Sequence, residues 1–114
     1  MLSIKEHGLL LSIIKHCEKI SGKMDGLTRE AFDRDEDVVQ IICFNILQIG
    51  ELAKNFDLEF LKRHDQVPWK HIKGMRDRVA HGYDTIDMDM VWDTALTDIP
   101  PLLTYCRSIL SENK

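Results

Sequence analysis

Apolar residues recur at intervals of three and four through almost the whole of this 114-residue chain, and that spacing restricts it to helices that bury one side each. Leu10, Ile13, Ile14, Cys17 and Ile20 form one such face, in a helix expected to start at Ser3. There Ser3 and Glu6 have the separation at which a cap and the third helical residue satisfy each other's backbone amides. Turn chemistry from Gly22 to Gly26 should end it. After a turn at Thr28–Phe32, the acidic run Asp33 to Asp37 suits the positive end of a helix dipole and opens a long second helix. Its stripe is read as Val38, Ile41, Ile42, Ile49, Leu52, Ala53 and Phe56, widened by Val39, Cys43, Ile46 and Gly50. A helix apolar over so much of its circumference belongs at the centre of a bundle.

The third long stretch should follow Val67-Pro68, where proline suits a helix start because its missing amide would have had no partner there. It is expected to run from Pro68 to about His81, with Gly82 as terminator and a short segment, Leu58 to His64, before it. The last stretch, from about Asp87 to Leu110, contains Pro100-Pro101, yet Met88, Val91, Ala95, Ile99, Leu102, Cys106 and Ile109 keep one phase across the prolines. A helix kinked there fits better than two unrelated ones. No convincing strand is visible. The expected fold is therefore all-α, an antiparallel bundle of four to five helices. At this length residues 1–114 should form a single domain with one core.

The composition excludes several classes. With 44% hydrophobic and 30% charged residues the chain reads as soluble and globular, and its apolar runs fall short of the roughly 20 residues needed to span a bilayer. Lys15, His16, Glu18 and Lys19 follow the first apolar patch where a secretion signal would need small residues, so a cytoplasmic location is expected. Cys17, Cys43 and Cys106 are odd in number, far apart and set in apolar stripes, as buried core residues would be. Cys-x-x-Cys, His-Glu-x-x-His and a phosphate-cradling glycine loop are all absent from the sequence, and neither a metal nor a cofactor is expected. Asn45, inside an apolar stripe, reads as a satisfied buried amide.

The net charge of −4 argues against general coating of nucleic acid, but the charge is uneven. Between residues 62 and 81 six cations (Lys62, Arg63, Lys70, Lys73, Arg76, Arg78) face only Asp65 and Asp77. That is a local anion site or a solvated helix face. Within it MRDRVAHGY, residues 75 to 83, gathers three side chains with complementary chemistry. Arg76 offers a permanently charged fork for phosphate, His81 exchanges protons near neutrality, and Tyr83 offers a phenol. On an unbroken helix Arg76 and Tyr83 share a face while His81 lies about 140° from Arg76. A joint site needs the helix to end near His81, the arginine to curl round, or a second protomer. The plain structural alternative has His81 capping the helix, Arg76 pairing with Asp77 or Glu51, and Tyr83 in the core.

The spacing Arg76-x4-His81-x-Tyr83 resembles the signature of HepT-like toxins in the HEPN superfamily. IGELAK at 49–54, VPWKHIKGMRDRVAHGYDTID at 67–87 and VWDTALTDIPPLL at 91–103 extend the resemblance, in order, over most of the chain. Asp77 stands where HEPN motifs often carry Asn, placing a negative charge beside Arg76. The resemblance implies a homodimeric HEPN-like bundle whose Arg and His motifs face a shared cleft, and metal-independent cleavage of RNA. It implies a type VII-like toxin–antitoxin pair with a cognate minimal nucleotidyltransferase antitoxin that transfers AMP to the motif tyrosine. Carried over, Arg76 and His81 are catalytic and Tyr83 is catalytic or modified, while Lys70, Lys73 and Arg78 are candidates for holding RNA phosphates. The competing expectation is a non-catalytic helical binding subunit of a nucleotidyltransferase, which would keep the bundle without needing His81.

Overall fold

The computed structural model describes residues 1–79 and 85–113. Helix α1 spans Ile4–Met24. The reciprocal cap forms as the spacing predicts: Ser3 Oγ accepts from the Glu6 amide at 3.0 Å, and Glu6 Oε1 accepts from the Ser3 amide at 2.9 Å. All five residues of the expected face, Leu10 to Ile20, are buried. The helix stops where Gly26 adopts φ +71, a backbone region that costs glycine little.

The expected turn at Thr28–Phe32 is instead the start of a short helix, α2 (Arg29–Arg34), capped by Thr28 Oγ1 on the Ala31 amide. The acidic run opens α3 (Glu36–Ala53) through Asp35, whose carboxylate accepts the Val38 amide at 3.1 Å. In α3 the buried face is Val39, Ile42, Cys43, Asn45, Ile46, Ile49, Gly50 and Ala53. Ile41, expected in the stripe, is exposed, as is Phe44. The helix is apolar nearly all round, so the pattern could not fix its rotation. His16 Nδ1 and Asn45 Oδ1 lie 2.6 Å apart, and Asn45 Nδ2 donates to the Ile41 carbonyl at 2.7 Å, so this buried amide is satisfied.

Helix α4 (Leu58–Arg63) follows, capped by Asp57, and Arg63 reaches back to Glu6 at 3.1 Å. The stretch expected as one helix from Pro68 is broken at Gly74 into α5 (Trp69–Lys73) and α6 (Met75–Val79). Its expected end at His81 and Gly82 lies outside the described residues. The final rod is α7 (Met88–Asp93), a π-helical turn (Thr94–Asp98) and α8 (Ile99–Glu112). The irregularity expected at the prolines thus takes the form of a widened turn just before them. Pro100 and Pro101 cannot donate to the carbonyls four residues back, and a proline ring would collide with the earlier turn. In the π turn the Ile99 amide bonds instead to the Thr94 carbonyl, five residues back.

Four rods, α1, α3, α5–α6 and α7–π–α8, therefore make an all-α bundle with α3 at its centre, against which α1, α5 and α6 all lie. The core runs through the bundle from Leu10 and Phe32 to Ile109. Cys17, Cys43 and Cys106 are free thiols inside it. Burial pushes the Cys106 thiol up to about 12 and raises those of Cys17 and Cys43, which disfavours the reactive thiolate form at all three. Among the described residues no helix is long and apolar enough to cross a membrane.

Candidate active site

The motif segment is anchored at its start by aromatic packing. Phe56 and Phe60 stack at 4.0 Å, Trp69 tilts against both, and its indole donates to the His64 carbonyl at 2.8 Å. From there α5 and α6 drop Ile72, Met75 and Val79 into the core. They lie close to α3 at Gly50: a methyl group added there would sit 3.5 Å from the Ile72 carbonyl and 3.6 Å from the Arg76 amide nitrogen. Those are ordinary van der Waals distances, so the motif backbone lies in contact range of the central helix at this position. Beyond residues 80–84 the chain is tied back, because the Asp87 amide donates to the Val79 carbonyl at 2.9 Å.

Burial of Met75 and Val79 points Arg76 sideways, toward α3. Its Nε is 4.0 Å from Glu51 Oε1 and its Nη1 is 3.8 Å from Asp77 Oδ1, with the side chain about half exposed. Both acids named by the plain alternative are therefore neighbours, yet neither is at hydrogen-bond distance. Glu51 is closer to Lys54, at 3.2 Å. Among the described residues, nothing at hydrogen-bond distance occupies its planar fork of donors, which suits an incoming phosphate oxygen. His81 and Tyr83, the other two members of the motif, lie outside the described residues.

The remaining cations divide between two sides of the segment. Lys70 is exposed and Lys73 half-buried on α5, and neither forms an ion pair among the described residues. Arg78 turns the other way, toward the last rod, where its Nη2 lies 3.5 Å from Asp98 Oδ2. The same carboxylate oxygen is 3.0 Å from His71 Nε2. Sequence reasoning missed Asp98 and gave His71 no role. The available signal was the proline pair, which follows the irregular turn that Asp98 closes.

Among the described residues no three His, Cys, Asp or Glu side chains gather closely enough to hold a metal ion. A groove of about 850 Å³ lies away from Arg76 between α1 and α3, and is walled by Glu18, Lys19, Lys23, Asp37, Ile41 and Phe44. Its charges are of both signs and it contains no candidate nucleophile. The chemistry of the motif makes the Arg76 side the better candidate.

The family model described as "Ribonuclease HepT-like" matches residues 13–109. The chain is 34% identical to "Putative RNase TTE0752" of Caldanaerobacter subterraneus subsp. tengcongensis, over 90% of this chain and 91% of that protein. It is 28% identical to "Putative RNase MJ0127" of Methanocaldococcus jannaschii, over 90% and 85% of the two chains. A shorter match, 39% identical over 47% of this chain and 49% of the other, is to "Probable ribonuclease HepT" of Thermococcus cleftensis. No solved structure is a significant match. With a family match over nearly all of the bundle, motif helices included, the chain belongs to the HepT-like ribonuclease family.

Proposed function

We propose that this protein is a cytoplasmic, metal-independent endoribonuclease, the toxin of a type VII-like pair. Family membership supports the reaction class, and the observation that carries it to a site is Arg76: half exposed, with both neighbouring acids beyond hydrogen-bond distance. Cleavage of RNA without a metal needs a base to take the ribose 2′-OH proton, an acid to protonate the departing 5′-oxygen, and a fixed cation for the charge that builds on phosphorus. Arg76 is the cation. His81 from each of two protomers supplies the base and the acid, which makes the active form a homodimer. Lys70 and Lys73 extend a positive track for neighbouring phosphates. Arg78, the third cation considered for that task, faces Asp98 in the free protein.

Control falls to Tyr83. A cognate minimal nucleotidyltransferase would direct the phenolic oxygen onto the α-phosphorus of ATP, forming the O–P bond of a tyrosyl-AMP as pyrophosphate leaves. The product places bulk and negative charge where RNA must bind.

The test is incubation of labelled RNA with unmodified wild-type protein and with His81→Ala, both in EDTA. The expected result is cleavage by wild type alone, leaving 2′,3′-cyclic phosphate ends. Ends that carry only 3′-OH would exclude the 2′-OH route. Folded wild-type protein that cuts none of several RNAs would leave the non-catalytic binding subunit as the reading of this chain. Unchanged mass of Tyr83 peptides after co-expression with the cognate transferase would remove the modification step.

A further inference from the structure

The helices that carry the motif are short. Helices α5 and α6 have five residues each, too few to hold a direction by their own hydrogen bonds, and Gly74 separates them. On the α3 side their backbone rests at Gly50. On the opposite side one carboxylate meets both pieces. Asp98 Oδ2 is 3.0 Å from His71 Nε2 on α5 and 3.5 Å from Arg78 Nη2 on α6, so it spans the break at Gly74.

Two further observations give this contact weight. Nε and Nη2 of Arg78 have no solvent surface and no hydrogen-bond partner among the described residues, and Asp98 is the only acid within 4.0 Å of that guanidinium among them. A buried cationic edge depends on its single counter-charge far more than an exposed one does. Asp98 is also the last residue of the π turn. Wound as an ordinary α turn, the same residues would carry Asp98 about 100° further round the rod, away from its present place beside Arg78. The widened turn just before Pro100 and Pro101 delivers a carboxylate to the back of the motif helix.

We propose that Asp98 is a positioning residue for RNA cleavage: braced by His71, it holds Arg78 and thereby fixes the orientation in which α6 presents Arg76 to the scissile phosphate. This rests on the ribonuclease reading above. Asp98 itself touches no substrate. Its loss leaves the arginine fork in place but lets α6 tilt, and misplacement of a catalytic group by about 1 Å costs on the order of 10²-fold in rate.

The experiment uses the full chain as wild type, Asp98→Asn, Arg78→Gln and the double variant, at a temperature where circular dichroism shows all four folded. Cleavage is followed in EDTA over a range of RNA concentrations. Each single variant should lower kcat about 10²-fold with KM within about 2-fold, and the double variant should be no slower than either single, because both changes break one link. Losses that multiply to about 10⁴-fold, or that fall on KM, would overturn the proposal; the second pattern would mean that Arg78 contacts RNA directly. Amide exchange of residues 75–79, measured without RNA, separates the two readings. If wild-type protein cuts no RNA, the ribonuclease reading falls and takes with it the part Asp98 plays in cleavage. Faster exchange in Asp98→Asn at 75–79 but not in α1 or α3 would then uphold the brace, and unchanged exchange would overturn it.

Discussion

The α1–α3 hairpin and the α5–α6 segment are built on different terms. The hairpin consists of helices of 21 and 18 residues, closed by a reciprocal cap at Ser3 and a carboxylate cap at Asp35, with its one buried amide, Asn45, fully engaged. The α5–α6 segment consists of two helices of five residues, with a break between them, an arginine loosely placed between two acids and another whose buried Nε and Nη2 have no hydrogen-bond partner among the described residues. Long, capped, apolar helices supply the stability. Short helices with poorly matched charges expose groups that an anion can still engage, and low local stability commonly accompanies functional segments for this reason.

The division is open to direct attack. The largest effect should come from Ile46→Ala in the hairpin, where a fully buried side chain leaves a cavity: a loss of about 2–5 kcal/mol in denaturant unfolding. Arg76→Ala should do the reverse. It should reduce cleavage by about 10²–10³-fold while chemical stability stays within about 0.5 kcal/mol of wild type. An Arg76 variant that melts early, or an Ile46 variant that does not, would erase the distinction. Ser3→Ala opens the reciprocal cap and should cost about 1 kcal/mol with no change in the rate measured below the melting transition.

Gly50 joins the two regions, and Gly50→Ala probes the seam. The added methyl would sit at ordinary contact distances, 3.5–3.7 Å from the backbone of α5 and α6. Helix propensity should then stabilise the protein by up to about 1 kcal/mol. A loss of activity with gained stability would show that the motif tolerates no displacement from α3. The smallest effect concerns acid. Burial, followed by the charge of Arg63, lowers the His64 pKa below its ordinary 6.5. The unfolded chain therefore binds this proton more readily, and the stability present above pH 6.5 declines as pH falls through the lower folded value. His64→Gln should flatten the acid side of the stability profile, measured as unfolding midpoint against pH.

Much of this architecture is legible in the residues. Ser3 with Glu6, the acidic run before Val38, and the stripe from Leu10 to Ile20 each specify local geometry that neighbours do not overrule. Where the pattern carries less information, the reading slips. On α3 apolar residues surround the helix, so the pattern points Ile41 inward although it lies outward. The sequence pattern runs on through Gly74, where the structure breaks the helix into two. Arg76 and its two acids were legible because chemistry singles out an arginine beside a histidine. Asp98 was not: it lies 22 positions from Arg76, and what joins them is a change in helix register rather than a motif.

That change of register ties parts of the chain together in heredity as well as in space. The π turn behaves as a one-residue insertion held in place by Pro100 and Pro101. Rewinding 94–98 as an ordinary α turn without removing a residue would rotate Leu102, Cys106 and Ile109 by about 100° relative to Val91, while replacing the prolines would remove their bar to that rewinding. Descendants of this sequence can drift freely at exposed positions such as Leu96 or Thr104, but they must keep or lose the extra residue, the proline pair and the aspartate as one inherited block.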